Sequence, residues 1–250
     1  MSISFKVVND FETCMNIWNQ ITTIKTLYDS WDMRIAFFNN ENQLHFIIAL
    51  DDDKLVGLLP LQKNIFKGYL EFFGGNFMEN NRIFVIDGYE HLRRQLVDLI
   101  TEKALLRSIL PEEEYIQTLP FDDYTYKLNL SSFLNINDYF DSVNKKLRKN
   151  FRRALNSIND MKPNIVFNSY NNLDLLIDLN KKVHGVESLF NDGDIYSAFH
   201  KLLNSNLKIT MISTEFDNKP QSVTFGVEFA GIYYALLSGA NREIADGLGT

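Results

Sequence analysis

"LHFIIALDDDKLVGLLPLQKN", residues 44–64, sets an apolar run, a short acidic turn and a second apolar run in succession. Two runs of this length, rich in Leu, Ile and Phe and joined at Asp51 to Lys54, read as the two strands of a hairpin. The same grammar returns in "LKITMISTEFDNKPQSVTFGVEF" from Leu207, where Asp217 to Pro220 supply the turn.

The neighbours of the two hairpins rhyme as well. Helices are predicted over Phe11 to Gln20 and Tyr28 to Phe38 before the first, and over Leu173 to Val183 and Ile195 to Leu203 before the second, the last capped by Asp192 or Asp194. A further strand follows each hairpin, "YLEFFGG" from Tyr69 and "IYYALLSG" from Ile232. Two helices, a hairpin and a strand, occurring twice, predict an α+β protein of two homologous lobes, mixed sheets flanked by helices, over residues 1–134 and 135–250. The plainer alternative is a chance recurrence of a common α+β order. "EHLRRQLVDLITEKALLRSI" reads as an amphipathic helix, and "EYIQTLP" and "DYTYKLNL" as strands that complete the first lobe. The second lobe has no counterpart to these before Thr250 and reads as lacking its C-terminal part.

The 250 residues are 45% hydrophobic and 23% charged, the composition of a chain that buries a core rather than a disordered one. A net charge of −7 argues against a protein that coats nucleic acid by bulk electrostatics, and no DNA partner is expected. The single cysteine, Cys14, excludes an internal disulfide and a Cys-based metal site, and lies in an apolar helical context that suits core packing. His45, His91, His184 and His200 show no ligand spacing, so no metal is expected. "FFGGN" lacks the Lys-Ser or Lys-Thr of a phosphate loop and reads as a bend after a strand. The N-terminus lacks the pattern of a signal peptide and no run is long enough for a transmembrane segment, which makes the cytoplasm the expected address.

Against this acidic background, "NKKLRKNFRRALNSI", residues 144–158, is strongly basic. A helix from an Asp138 cap to about Asn159 would align Leu147, Phe151, Leu155 and Ile158 on one face for docking and leave Lys145, Lys146, Arg148, Lys149, Arg152 and Arg153 on the rest. No acidic residue lies between Asp141 and Asp160 to neutralise them. Such a surface is either a solvated helix face or an anion site.

"DDDKLVGLLPLQ" followed by "LEFFGGNFMENNRIFV" resembles the first lobe of the tandem-GNAT acyltransferases, the acetyltransferase family of bacterial polysaccharide and cellulose operons, and of the related Fem-type aminoacyltransferases that build peptidoglycan cross-bridges. "LRKNFRRALNSI" is similar to the basic helix that opens the second lobe in that group, and "PQSVTFGVEFAGIYYALLSGANREIADGLGT" to its hairpin and the loop before the donor-binding helix. The resemblance implies a GNAT-like fold that moves an acyl group from acyl-CoA, acetyl-CoA above all, or from an aminoacyl-tRNA, to an amine or hydroxyl of a small-molecule or glycan acceptor. In such a lobe exposed backbone groups hold the pantetheine arm and a Gly-rich loop at a helix N-terminus takes the pyrophosphate.

Carried onto this chain, the resemblance makes Ile232 to Ser238 the donor strand and places the phosphate loop within Gly239 to Thr250, with Arg242, Gly247 and Gly249 its marked residues. Arg242 is followed by four residues before Gly247, a wider spacing than the two of simple GNAT proteins. The helix that would face the pyrophosphate is expected at or after Thr250, so the chain reads as the N-terminal part of a longer one, a degenerate relative being the alternative. Acyl transfer to an amine needs a proton acceptor, for which His184, with Glu187 nearby, and Glu228 are the candidates. Tyr234 is the candidate proton donor to the leaving group. Arg148, Lys149, Arg152 and Arg153 are the residues expected to meet phosphates of coenzyme A, tRNA or an anionic acceptor. A Fem-type transferase using aminoacyl-tRNA, or a non-catalytic anion-binding module, are the alternatives.

Overall fold

The computed structural model describes residues 2–110 and 126–244. The chain is a mixed α+β protein with curled sheets flanked by helices, divided into two compact units. The first holds residues 2–110 with Asp194–Leu207 and Phe229–Gly231; the second holds residues 126–193, Lys208–Glu228 and 232–244.

In the first unit the order is β1 (Ile3–Val8), α1 (Phe11–Ile21), α2 (Trp31–Ala36), β2 (Asn42–Asp51), β3 (Lys54–Asn64), β4 (Tyr69–Phe72), β5 (Phe84–Val85), α3 (Leu92–Asp98) and β6 (Ala104–Leu105). The sheet runs β1-β2-β3-β4-β6, with β5 added beside β3. The quoted hairpin is antiparallel and turns through two residues between Asp51 and Lys54. Its runs are continuously apolar because the sheet is covered on both faces. Phe46 and Ile48 pack with Cys14 and Trp18 of α1, while Ile47 and Ala49 pack with Leu92 and Leu96 of α3. The register slips between Ala49 and Leu50, and Val56 is the extra residue. That bulge reverses the alternation along β3, so Leu55 and Leu58 face α1 together.

Arg34 of α2 is fully buried, its cation against the Trp18 ring and its N–H groups donated to the carbonyls of Tyr28, Phe73 and Asn80. In the segment that joins this unit from later in the chain, α7 (Gly193–Leu203) supplies Phe199, set edge-on to the stacked rings of Phe37 and Phe77.

In the second unit the order is α4 (Ile136–Ser142), α5 (Lys145–Asp160), β7 (Asn164–Phe167), α6 (Leu173–His184), β8 (Lys208–Phe216), β9 (Lys219–Phe229) and β10 (Ile232–Ala240). Its sheet runs β10-β9-β8-β7. The β8–β9 hairpin turns on Asp217 and Asn218, both at positive φ (50° and 60°), the conformation whose twist matches flanking strands. Its register slips between Thr214 and Glu215, with Gln221 the extra residue. Gln221 and Val56 are each the third residue of their returning strand, so the two hairpins share turn length and bulge position. In both sheets an early strand pairs antiparallel with the first hairpin strand, β1 with β2 and β7 with β8.

Three helical expectations and one strand expectation change. The segment from Tyr28 to Phe38 is a 3-10 turn, Leu27–Asp29, followed by α2, because buried Asp29 turns back to accept the N–H groups of Lys25 (3.0 Å) and Thr26 (2.8 Å) and Ser30 is extended. The long helix expected from Glu90 ends at Asp98; beyond it the backbone joins the sheet, Leu70 N–H donating to Lys103 O at 2.8 Å and β6 pairing parallel with β4. The basic helix is two, broken at extended Val143; Asn135 caps α4 and Asn144 caps α5, while Asp138 accepts from Leu134 N–H instead. Of "DYTYKLNL", residues 126–129 carry no regular structure and Leu130 opens a 3-10 turn; "EYIQTLP" lies outside the described residues.

Candidate functional site

The second unit contains a cleft of about 360 Å³ where the C-terminal half of α6, the turns after it and β10 converge. Its size is that of a small-ligand pocket. α6 ends because Gly185 takes φ 54°, ψ −122°, a conformation open to glycine, and the chain doubles back through the 3-10 turns Gly185–Glu187 and Leu189–Asn191. This return brings Glu187 and Leu189 to the cleft beside Asn180 and His184 of α6. Thr224 of β9 and Ala235 to Ser238 of β10 form the opposite wall. A smaller hollow of about 80 Å³ shares Asn180, His184 and Ser238 and adds Gly239 and Arg242.

The wall and the helix meet closely because residue 239 is glycine. A Cβ there would lie 2.9 Å from Leu176 O and 3.0 Å from Leu179 Cβ of α6. β10 stands at the end of its sheet, paired with β9. Among the described residues no strand pairs with its outer edge, and Ala235 to Ser238 of that strand line the cleft. In the first unit the strand in the same order, β4, lies between β3 and β6.

The structure thus brings His184, Glu187 and Ser238 to the cleft, and Gly239 and Arg242 to the smaller hollow that shares His184 and Ser238 with it. His184 and Glu187 are exposed at its mouth. Glu228 is elsewhere: its carboxylate pairs with the Lys208 ammonium and accepts from the Thr210 hydroxyl at 3.0 Å, bonds that hold it below the usual glutamate range. A carboxylate so engaged is a weak base, and it does not line the cleft. Tyr234 is half-buried on β10 and does not line the cleft either. Its neighbour Tyr233 lies over Gly226, where burial, then the Glu228 charge, raises the phenol pKa. Gly247, Gly249 and Thr250 lie outside the described residues.

The basic helix is neutralised in part by a residue that precedes it. The break at Val143 lets Asp141 return to Arg148, at 3.0 Å, and to Arg152, at 3.9 Å. Arg148 also donates to the Asp141 and Val143 carbonyls, both at 3.2 Å, and so closes the end of α4. Lys149 and Arg153 are exposed and, among the described residues, meet no carboxylate. The expected apolar face is partly docked: Phe151 meets Tyr139 and Phe140, and Ile158 packs near Phe216 and Ala240, whereas Leu147 and Leu155 remain 38% and 41% exposed.

Asn180 is the cleft residue that motif reasoning passed over. It is 4% exposed and accepts the Ser188 hydroxyl at 2.7 Å. The signal was present in "LDLLIDLNKKVH", where an amide stands one turn after Leu176 on the buried face and one turn before His184. Among the described residues no group of three or more His, Cys, Asp or Glu gathers as a metal site, and no helix is long and apolar enough to cross a membrane.

No protein-family model matches the chain, and no curated protein matches it. Among solved structures the chain is similar to a conserved protein of unknown function from Bacteroides thetaiotaomicron VPI-5482, with 13% identity, 99% of this chain and 83% of that chain covered, and a TM-score of 0.49. A likeness that distant carries no functional argument. It leaves the chain's own cleft as the ground for a functional reading.

Proposed function

We propose that the chain is a cytoplasmic acyltransferase of GNAT type, moving an acyl group from acyl-CoA to an amine or hydroxyl of a sugar or envelope precursor. The observation that carries this reading is the coincidence of the cleft with the strand expected to hold the donor: Ala235 to Ser238 line it, and His184 and Glu187 stand at its mouth. The outer backbone of β10 offers the amide pairing that a pantetheine arm takes, leaving few side chains to mark the site. His184 accepts the proton of the attacking amine or hydroxyl as nitrogen or oxygen bonds to the acyl carbon and the C–S bond breaks, sending the thiolate out with its electron pair. Glu228, tied to Lys208, is outside this role.

Calorimetric titration with acetyl-CoA at low salt tests the reading. Saturable binding supports it, and the His184→Gln variant is expected to keep donor binding while losing transfer. Absence of binding by the wild-type chain defeats it. A second reading, an aminoacyl-tRNA donor or a purely anion-binding role, is favoured by one observation: Lys149 and Arg153 face solvent without carboxylate partners on an otherwise acidic chain. Binding of tRNA but not of acetyl-CoA in parallel titrations selects that reading.

A further inference from the structure

We infer that Asn180 is the carbonyl-binding donor of the cleft, its side-chain N–H group receiving the acyl oxygen of the ligand; this rests on the acyl-donor reading above. Asn180 borders both the main cleft and the adjoining hollow, and it is one of their most deeply buried polar side chains, at 4% exposed. Its amide oxygen is engaged by Ser188. The Ser188 Oγ accepts the N–H of Phe190 at 3.3 Å and donates its own proton to Asn180 Oδ1 at 2.7 Å. The carbonyl end of the amide meets Ser188, and the Nδ2 end has no protein partner among the described residues. The Nδ2 end is open to the concavity, where an acceptor of a ligand can meet it.

The acceptor it fits is a carbonyl oxygen. An ammonium has no acceptor and a hydroxyl must also place a proton of its own, whereas an acyl carbonyl is acceptor-only and matches an N–H donor. Asn180 and His184 are one turn apart on the same face of α6, so an acyl oxygen at Asn180 sets its carbon beside the residue assigned to take the acceptor's proton. A donor aimed at that oxygen before reaction stabilises the negative charge that grows on it during attack. Ser188, itself 5% exposed, is then a positioning residue. The alternative is that the Asn180–Ser188 bond merely pins the 3-10 turns to α6.

Acetyl-CoA and free coenzyme A separate the two, because only the thioester carries the carbonyl. Their affinities are measured by calorimetry for the wild-type chain, Asn180→Leu and Ser188→Ala, with melting temperature as the folding control. The expected result is a loss of about fivefold to tenfold in acetyl-CoA affinity for Asn180→Leu, the equivalent of one hydrogen bond, with coenzyme A affinity unchanged. Ser188→Ala is expected to move the same ratio in the same direction by less, and it decides the matter if Asn180→Leu does not fold. An unchanged ratio in the folded variants overturns the role of Asn180 and leaves the acyl-donor reading standing. A wild-type chain that binds neither ligand overturns that reading and this assignment with it.

Discussion

Replacing Gly239 by Ala sets two known effects against each other at the wall of the cleft. Glycine inside a strand costs about 0.5–1 kcal/mol relative to alanine through chain entropy, which favours the substitution. The new methyl, however, would sit 2.9 Å from Leu176 O, 3.0 Å from Leu179 Cβ and 3.1 Å from Leu176 Cδ1. The leucine tip can rotate, but the carbonyl belongs to the α6 backbone, so helix and strand must part by several tenths of an ångström. Overpacking of this kind costs about 1–3 kcal/mol, which at mid-range exceeds the entropic gain and leaves a net loss of about 1 kcal/mol. The assay is urea unfolding followed by far-UV circular dichroism, with Gly193→Ala as the control, since a Cβ at Gly193 meets nothing within 4 Å. Gly193→Ala is expected to hold or raise the midpoint, and Gly239→Ala to lower it. Because α6 and β10 are also the two walls of the cleft, the same variant is expected to weaken acetyl-CoA binding. A Gly239→Ala midpoint at or above that of the wild type refutes the claim that close approach at this residue shapes the site.

Three further outcomes follow from the geometry. Lys149→Gln with Arg153→Gln is expected to lower the salt needed to elute the chain from heparin, whereas Asp141→Asn, by releasing Arg148 and Arg152, is expected to raise it. Cys14, fully buried and with its thiol pushed up to about 12 by burial, then by nearby Asp10, is expected to resist alkylation at pH 8 until the chain unfolds. Its folded pKa lies above the unfolded value, so whatever it contributes to stability is present below the ordinary thiol range and is lost as pH rises towards 12. Glu228→Gln is expected to leave acetyl-CoA affinity unchanged, and the Glu228 carboxyl carbon, followed by NMR, to titrate below the ordinary glutamate range because Lys208 and Thr210 hold the anion.

Local physics sufficed for some elements of this protein. Both hairpins were legible because each strand run is bounded by a short polar turn, and a turn of Asp and Asn tolerates the positive φ that Asp52, Asp217 and Asn218 adopt. The helix expected over Phe11 to Gln20 runs Phe11–Ile21, and the Asp10 carboxylate fixes its start by accepting Thr13 N–H at 2.8 Å. The short strands β1 and β7 escaped notice, since their burial is partial and they exist through pairing with β2 and β8.

The sequence named single residues for a site but not the place where some of them meet. His184 and the segment from Ser238 to Arg242 are far apart in sequence, and only the return of the chain at Gly185 and the packing of α6 on β10 bring them to the cleft and the hollow beside it. The same tertiary contacts remove Glu228 from that group by giving it Lys208, and draw two arginines of the basic helix onto Asp141. The sequence by itself determined the paired hairpins, the apolar faces and the local concentration of cations, because these depend on turn chemistry and spacing along one segment. Which carboxylates are spent on ion pairs, and which amide is buried facing a cleft, was decided by the tertiary structure, because those depend on distances between segments that spacing along the chain does not encode.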